Sequence, residues 1–328
     1  MTMLCAEYIW IDAFNKLRSK TQVCPNGVID DWNYDGSSTG QALGSESEVI
    51  IKPRALFNDP FRLGNNKLVL CSTHLQDGSP HPTNFRDSAD KNFNIWKDSK
   101  PWFGLEQEYF IMDPKTDKPL GYQEEDTQGR FYCSVGARNA FGRQVAEEHL
   151  SLCLQAGVRI CGINAEVAPG QWEFQIGICE GIEAADHLWV ARWILERVAE
   201  KHGVWINYHP KPLKGEWNGS GCHINFSTQD MRSVGGIYKI YEAIEKLKDT
   251  HMEHMATYGS NNDLRMTGKH ETASYDKFSH GTGDRTASIR VGKETTLNGH
   301  GYFEDRRPGS NIDPYKATSK IVDTCMNT

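Results

Sequence analysis

The chain has 328 residues, of which 38% are hydrophobic and 24% are charged, and its formal net charge is -7 at pH 7. This composition is typical of a globular protein with a sizeable core, and the length favours two domains over one. The negative charge argues against a nucleic-acid backbone as the main partner, and no apolar run approaches the roughly 18 residues of a membrane helix.

The N-terminal stretch does not have the pattern of a secretory signal. The sequence "MTMLCAEYIWIDAF" lacks a basic start and contains Glu7 and Asp12. The nine cysteines are odd in number and show no CxxC spacing, which favours reduced thiols. We therefore expect a cytoplasmic protein without a membrane partner.

The first hundred residues predict a small domain rich in β-strands. Three short apolar runs, separated by turn-forming stretches, predict strands over residues 7–12, 47–53 and 66–72. Apolar residues at helical spacing predict a helix over 84–96. The polar sequence "KDSKP" that follows marks a domain boundary, which divides the chain into domains of residues 1–98 and 99–328.

The larger domain alternates predicted helices and strands. The helices are predicted over residues 142–156, 181–202 and 234–257. Glycines stand where left-handed C-terminal caps belong, at Gly157, Gly203 and Gly259. Each helix is therefore expected to end next to its glycine.

Five predicted strands of this domain combine an apolar face with a face of acidic or hydrogen-bonding side chains. In "FGLEQEYF", Glu106 and Glu108 share one face because side chains alternate along a strand. Burying two neighbouring carboxylates is costly unless cations neutralise them. The polar faces of the other four strands contain Asn164 and Glu166; Gln171, Glu173 and Gln175; His223, Asn225 and Ser227; and Tyr302, Glu304 and Arg306.

Each of these strands, taken singly, is typical of an antiparallel sheet whose polar face meets solvent. Two features of the set favour another interpretation: the polar faces are rich in glutamate, a poor strand former, and almost free of lysine. A curved sheet that wrapped these faces around a cleft would gather five carboxylates and one imidazole. Such a cluster needs divalent metal, and oxygen-dominated ligands favour Mg²⁺ or Mn²⁺ over zinc.

Arginines are concentrated in the last quarter of the chain, at Arg265, Arg285, Arg290, Arg306 and Arg307. Guanidinium groups pair well with phosphate and carboxylate, so arginines beside metal ions would suit phosphoryl transfer from a nucleotide. Surface ion pairs are the more ordinary role for any single arginine. Neither a GxxxxGK[ST] loop nor a dinucleotide fingerprint is present. A metal-dependent hydrolase also fits the carboxylates, although it has no use for so many arginines.

Seven motifs, in the same order along nearly the whole chain, resemble the glutamine synthetase family of the eukaryotic type. They are "WNYDGSSTGQ", "WFGLEQEYF", "NAEVAPGQWEFQIG", "DHLWVARWIL", "NGSGCHINFS", "TGKHET" and "GYFEDRRP". The resemblance implies an α+β fold, with a small N-terminal β-grasp domain and a catalytic domain whose curved antiparallel sheet is flanked by helices. It also implies ATP-dependent ligation of ammonia to the γ-carboxylate of L-glutamate via γ-glutamyl phosphate, giving L-glutamine, ADP and phosphate.

The resemblance implies roles for individual residues. The metal ligands would be Glu108, Glu166 and Glu173 for one ion and Glu106, His223 and Glu304 for the other. Glutamate would contact Asn218, Gly219, His223, Arg265, Arg285 and Arg306. The nucleotide would contact Glu173, Asn225, Ser227, Arg285, Arg290 and Tyr302. The catalytic residues would be Asp35, which helps to deprotonate ammonium, Glu271, which closes over the intermediate, and Arg285 and Arg306.

The resemblance further implies two or more divalent ions per site and a homo-oligomer, with stacked pentameric rings and active sites between subunits. Two alternatives remain open. A ligase that joins glutamate to another amine would alter the surroundings of Asp35 and Glu271, which are both present, and a non-catalytic relative should have lost metal ligands. His251 and His254, which lie among methionines on a predicted helix, are predicted to be structural.

Overall fold

The computed structural model describes residues 3–327, which form two compact units. One unit comprises the residues up to Lys91 together with Ser151–Val158. The other comprises Asn92–Leu150 and the residues from Arg159 onward. Within the described range, no helix is both long enough and apolar enough to cross a bilayer.

The N-terminal unit contains a five-stranded mixed sheet with the strand order β2-β1-β5-β4-β3. Its strands are β1 (Leu4–Ile11), β2 (Leu17–Cys24), β3 (Trp32–Asp35), β4 (Glu48–Asn58) and β5 (Lys67–His74). The central pair, β1 and β5, is parallel, and the other neighbours are antiparallel. Alternate apolar side chains, among them Tyr8, Trp10 and Tyr34, are buried in one core. The sheet agrees with the predicted β-grasp fold.

The second unit contains a nine-stranded sheet on which the candidate site is built. Seven strands follow the order β12-β13-β14-β11-β6-β9-β8, and β7 and β10 both pair with β6. Its strands are β6 (Trp102–Asp113), β7 (Lys118–Pro119), β8 (Ile160–Ala165), β9 (Gln171–Glu180), β10 (Trp205–Asn207), β11 (Cys222–Ser227), β12 (His280–Thr282), β13 (Ile289–Val291) and β14 (Phe303–Asp305). The neighbours are antiparallel, as predicted, apart from the edge pair β12 and β13, which is parallel. Bulges in the β6–β9 and β8–β9 ladders bend the sheet.

Three of the four predicted helical segments match single α-helices, and the sequence analysis does not predict α4, α7 and α8. They are α1 (Phe85–Ile95), α2 (Arg143–Ala156), α3 (Glu183–His202), α4 (Gln229–Arg232), α5 (Ile237–Asp249), α6 (His251–Met255), α7 (Lys293–Asn298) and α8 (Pro314–Met326). Gly203 adopts the left-handed conformation and caps α3, as predicted. The prediction of one helix over 234–257 is wrong, because Thr250 leaves the helical conformation and separates α5 from α6. Gly259 therefore lies beyond the end of α6 and does not cap it.

Helix α3 covers the back of the sheet in the second unit. It packs against β6, β9 and β10 and against α8, and most of its side chains are buried. On β6, Leu105 and Tyr109 are fully buried on the side that faces this layer. The acidic residues of β6 alternate with these positions and project from the other face of the sheet.

Candidate active site

Cross-strand register brings predicted metal ligands together on one face of the sheet. On β6, Glu106 and Glu108 are partly buried, whereas the intervening Gln107 is completely buried. Glu106 lies opposite His223 on β11, and Glu108 lies opposite Glu173 on β9. Two strand pairs that share β6 therefore set the spacing of four candidate ligands.

The first ligand triplet consists of Glu106, His223 and Glu304. One ligand atom from each residue lies within 4.8 Å of the others. His223 Nδ1 is 3.6 Å from Glu106 Oε2 and 3.4 Å from Glu304 Oε1. Burial lowers the pKa of His223 well below its ordinary value, so the imidazole is neutral and a ring nitrogen has a lone pair available for a cation.

The second ligand triplet consists of Glu108, Glu166 and Glu173, and its ligand atoms also lie within 4.8 Å of one another. Burial raises the pKa of Glu166 to about 9, that of Glu173 to about 8 and that of Glu108 to about 7. In each case a neighbouring carboxylate adds to the rise. A divalent cation would reverse this effect, because it attracts each anion that the others repel.

The donor atoms of both triplets fit a hard divalent cation. Five of the six ligands are carboxylates and one is an imidazole. Carboxylate oxygen is the ligand that Mg²⁺ and Mn²⁺ prefer, whereas zinc sites contain more nitrogen and sulfur. The choice of Mg²⁺ or Mn²⁺ stays a prediction.

Amide side chains on β8 and β9 orient the second triplet. Asn164 Nδ2 donates a hydrogen bond to Glu166 Oε1 at 2.8 Å. Gln175 Nε2 donates to Asn164 Oδ1 at 2.7 Å and also to the carboxylate of Glu173. The strand pattern places both amides on the polar face, but it does not reveal that they bind the carboxylates directly.

Two further donors orient the glutamates of β6. Asn225 Nδ2 donates to Glu106 Oε1 at 2.8 Å, and the backbone N–H of Gly221 donates to Glu108 Oε2 at 2.6 Å. Each glutamate of β6 therefore has one oxygen held by a neutral donor, which restricts the directions in which it can bind a cation.

Two arginines contact the carboxylate of Glu304. Arg290, which lies opposite Glu304 in the β13–β14 ladder, donates from Nη1 at 2.7 Å, and Arg306 donates from Nη1 at 2.6 Å. Arg306 Nε also donates to the backbone oxygen of Arg285 at 3.1 Å. Arg285 itself is exposed. Arg290, predicted to contact the nucleotide, and Arg306, predicted to contact glutamate, thus border the first triplet.

Arg265 is buried close to the same face. Its Nε donates to Asn262 Oδ1 at 3.0 Å, and its Nη2 donates to the backbone oxygens of Arg306, Arg307 and Pro308. Burial lowers the pKa of Arg265 to about 10, and the charge of Glu108 opposes the decrease. The guanidinium therefore remains charged at neutral pH.

Gly219 and Asn218 form the wall beside Arg265. A Cβ atom on Gly219 would lie 2.3 Å from Arg265 Cγ and 2.4 Å from the backbone oxygen of Pro210, so only glycine allows this approach. The N–H of Asn218 donates to Gln128 Oε1 at 2.7 Å. Within residues 3–327, Asn218 Oδ1 is buried and has no hydrogen-bond partner.

The residues predicted to contact nucleotide have different degrees of exposure. Ser227 is buried, and its Oγ accepts a hydrogen bond from Arg232 Nη1 at 2.9 Å. The guanidinium of Arg232 in turn stacks 3.7 Å from the centre of the Trp102 ring. Tyr302, by contrast, is 50% exposed. Their roles as nucleotide contacts stay predictions.

Glu271 lies in a loop whose ends, Thr267 and Ser274, form an isolated antiparallel bridge. His270 and Glu271 have φ values of 54° and 60°, a left-handed conformation that is unfavourable for residues other than glycine. The backbone oxygen of Glu271 accepts from Arg306 Nη2 at 3.4 Å, and the residue is exposed. Glu271 is thus held by its backbone in a strained loop beside a site arginine.

Asp35 ends strand β3 of the N-terminal unit and is exposed. Its carboxylate accepts hydrogen bonds from the N–H and the Oγ of Ser37, at 3.0 and 2.6 Å, and from Ser38 Oγ at 3.1 Å. These bonds, chiefly those from Ser37, lower the pKa of Asp35. Asp35 is therefore an anion at neutral pH, and its role toward ammonium stays a prediction.

Arg307 lies apart from the arginines that border the first triplet, and it has the more ordinary role of an ion pair. Just beyond the end of β14, Arg306 donates to Glu304 of the first triplet, whereas Arg307 is completely buried in an ion pair of 2.7 Å with Asp305. His251 Nδ1 lies 3.0 Å from Arg307 Nη1, and His254 is buried. Both histidines are structural, as predicted.

Two carboxylate-rich triplets beside arginines are typical of the class of metal-dependent enzymes that transfer phosphoryl groups. A family model described as the glutamine synthetase catalytic domain matches residues 87–327. A glutamine synthetase of Agaricus bisporus is 53% identical over 329 residues, which cover 98% of this chain and 93% of that protein. A glutamine synthetase cytosolic isozyme of Daucus carota is 52% identical over 332 residues, covering 98% and 94%. The chain belongs to the glutamine synthetase family and is a glutamate–ammonia ligase.

The fold has a counterpart among solved structures. A structure of GmaS without ligand superposes with a TM-score of 0.78 at 20% sequence identity, covering 98% of this chain and 76% of that chain. At this identity the likeness concerns the fold alone. The family and the α+β fold predicted from the sequence are therefore confirmed.

Proposed function

We propose that the two triplets bind two divalent cations, Mg²⁺ or Mn²⁺, and that the ligase reaction takes place on this face of the sheet. The observation that supports the proposal most strongly is the register that sets Glu108 opposite Glu173, with Glu166 beside them. Without cations, these carboxyl groups retain protons at pH values where glutamate is ordinarily ionised. Bound cations would neutralise charge where a phosphate must approach an acceptor carboxylate.

The reaction requires two chemical steps because a carboxylate is a poor electrophile. Its leaving group would be oxide, whereas phosphorylation by ATP converts the γ-carboxylate of glutamate into γ-glutamyl phosphate and releases ADP. Ammonia then attacks the γ-carbonyl carbon, and phosphate departs to leave glutamine. Ammonium becomes a nucleophile only after it loses a proton, and a positioned base typically contributes roughly 10²–10⁴-fold to such a step.

We assign the glutamate substrate to the wall formed by Asn218 and Gly219. Asn218 Oδ1 lacks a partner within residues 3–327, and it is suited to accept a hydrogen bond from the substrate amino group. Arg265 and Arg306 supply buried positive charge for the substrate carboxylates, and His223 and Arg285 complete the predicted contacts. The close approach that Gly219 permits keeps the Arg265 side chain against this wall.

We assign ATP to the neighbouring part of the sheet. Arg290 donates a hydrogen bond to Glu304 of the first triplet, so its guanidinium lies close enough to the proposed cation site to bind a phosphate group there. The remaining predicted nucleotide contacts are Glu173, Asn225, Ser227, Arg285 and Tyr302. The exposed ring of Tyr302 provides a surface for a purine, whereas the buried Ser227 is suited to a polar contact.

Asp35 and Glu271 are proposed to act in the second step. The hydrogen bonds from Ser37 keep Asp35 ionised, and an anion both attracts ammonium and favours the loss of its proton. Glu271, in its strained loop, would close the site and exclude water, which otherwise hydrolyses the acyl phosphate.

We propose a cytoplasmic homo-oligomer of stacked pentameric rings, in which each active site takes Asp35 from a neighbouring subunit. This arrangement follows from the family resemblance, and a head-to-tail interface of this kind closes into a ring. The nine cysteines without CxxC spacing support a reducing compartment.

Phosphate release from ATP tests the proposal directly. We expect sustained release that requires glutamate, ammonium and Mg²⁺ or Mn²⁺ together, and that stops when EDTA is added. Glu304→Ala should abolish it in folded protein, because the first triplet loses a ligand, while Glu147→Ala, at an exposed position of α2, should not. Equal release in EDTA would contradict the metal assignment, and turnover with another amine but not with ammonium would contradict the ligation of ammonia.

A further inference from the structure

Directly behind the two glutamates of β6 lies a buried arginine for which the reaction has no evident use. Arg192 is on α3, and only 3% of its surface is exposed. Its neighbours are Gln107, on the core-facing side of β6, and the backbone oxygens of Ser310 and Ile312, which follow β14 in the chain. Arg192 thus connects a helix to β6, which carries Glu106 and Glu108, and to the segment that follows Glu304.

The guanidinium uses all three of its nitrogens. Nε and Nη2 donate to Gln107 Oε1 at 2.9 and 2.5 Å, so the amide oxygen is held by two donors. Nη1 donates to the backbone oxygen of Ile312 at 2.9 Å, and Nη2 donates to that of Ser310 at 3.0 Å. A lysine could satisfy only part of this set, since it lacks the planar fork.

The other end of the Gln107 amide completes the connection. Gln107 Nε2 donates to the backbone oxygen of Glu108 at 2.7 Å and to that of Ser310 at 3.0 Å. The Ser310 oxygen therefore accepts from both Arg192 and Gln107. This set of bonds joins the backbone of β6 at its ligands to the segment that follows Glu304.

Arg192 makes no ion pair within residues 3–327. Its guanidinium lies 4.9 Å from the Trp189 ring and 5.3 Å from the Tyr208 ring, and the nearby Asp313 instead caps α8 through hydrogen bonds from Tyr315 and Lys316. Burying a charge without an ion pair costs desolvation free energy, and a leucine at this helix position would avoid that cost. The hydrogen bonds from Arg192 to Gln107, Ser310 and Ile312 offset that cost and fix the positions of the groups that accept them.

We propose that Arg192 is a positioning residue for both metal-ligand triplets, acting through Gln107 and the Ser310 backbone. Carboxylates gathered on one face repel one another, so a compliant sheet would relax by moving them apart. A backbone fixed from behind resists that movement and keeps the ligands spaced for cations. The inference rests on the proposed function, because it concerns the cations proposed to bind there.

Manganese binding tests this role without reference to turnover. The variants are Arg192→Lys, which keeps the charge but removes the fork, and Gln107→Asn, which keeps the amide but shortens its reach. The Mn²⁺ dissociation constant, measured by electron paramagnetic resonance on purified full-length protein, should rise roughly 10–100-fold in each, as when other supports of metal ligands are removed. The matched control is Arg197→Lys on the same helix, where the arginine is more exposed and pairs with Glu200 at 2.8 Å.

The outcomes separate this inference from the proposed function. If the wild-type protein binds no Mn²⁺, the metal assignment itself fails. If wild-type protein binds Mn²⁺ and both folded variants bind it within twofold of wild type, the positioning role is refuted. A merely structural role would lower the melting temperature and leave the dissociation constant unchanged, and this result would also refute it. Weakened binding in both variants, with the Arg197→Lys control at the wild-type value, would support the proposal.

Discussion

Replacing Glu173 with glutamine should stabilise the metal-free protein while destroying a metal ligand. Glutamate ordinarily has a pKa of 4.5, and in the folded chain the pKa of Glu173 is raised to about 8 by burial and by its acidic neighbours. Because the pKa is raised in the folded state, ionisation of Glu173 lowers the free energy of unfolding. This loss is absent below pH 4.5, grows as the pH rises, and is complete above about pH 8. At pH 7, which is above the ordinary pKa of 4.5 but below the raised one, the loss of unfolding free energy is about 3 kcal/mol. Glutamine does not ionise, so the variant would not suffer this loss.

The assay is thermal unfolding in EDTA at pH 5, 7 and 8. We expect Glu173→Gln to melt roughly 6 °C above wild type at pH 7, still higher above it at pH 8, and close to it at pH 5. Adding Mn²⁺ should reverse the order, because the wild-type protein gains binding energy that the variant lacks. Glu147→Gln, at an exposed position on α2, is the control and should melt like wild type. A Glu173→Gln protein that melts at or below the wild-type temperature in EDTA at pH 8 would refute the reasoning.

Two further predictions concern the reaction and the assembly. Hydroxylamine should replace ammonium and yield a hydroxamate, since it attacks the same acyl phosphate; glutamine formation without any hydroxamate would contradict that intermediate. Co-expression of Asp35→Ala and Glu173→Ala chains in equal amounts should restore roughly a quarter of the sites, because each interface would draw its two contributors independently. Inactive oligomers that contain both chains, as verified by mass spectrometry, would place Asp35 outside a shared site.

Strand alternation predicts the ligand-bearing face of the sheet well. The partly exposed Glu106 and Glu108 and the buried Leu105 and Tyr109 lie as the sequence "FGLEQEYF" indicates. The pattern succeeds because β6 is a central strand, with one face against the core and the other against the site. Which strands are neighbours does not follow from alternation, and so the pairing of Glu108 with Glu173 required the structure.

The patterns fail at sheet edges and at a helix break. Strands β2 and β3 are the two edges of the N-terminal sheet, and the sequence of β2, "LRSKTQVC", is mostly polar because much of that strand is exposed. The break between α5 and α6 is invisible to hydrophobic periodicity, which continues across it. At the break, Thr250 Oγ1 donates to the backbone oxygen of Lys246 at 2.8 Å, a local bond that competes with helix formation.

The arginines show how composition can mislead where alternation does not. Arg306 and Arg307 are adjacent and chemically identical, and a count of nearby arginines treats them alike. Their contacts separate them, since Arg306 binds Glu304 at the site and Arg307 is buried with Asp305. Applying the same alternation that aligned Tyr302, Glu304 and Arg306 would have assigned Arg307 to the core.

The core behind the site is polar at the positions next to the ligands. Gln107 lies between the two glutamates of β6, Asp305 follows Glu304, and both are completely buried. Apolar residues there would avoid the desolvation of polar groups, so these positions reduce stability unless every donor and acceptor is satisfied. Their hydrogen bonds to Arg192 and Arg307 meet that condition and fix the backbone from which the ligands project. Because clustered carboxylates repel one another, a site of this kind needs a rigid support, and an apolar core would supply packing but no directional bonds. A buried polar residue next to a ligand, on the opposite face of the same strand, is therefore the sequence feature by which such a support can be recognised.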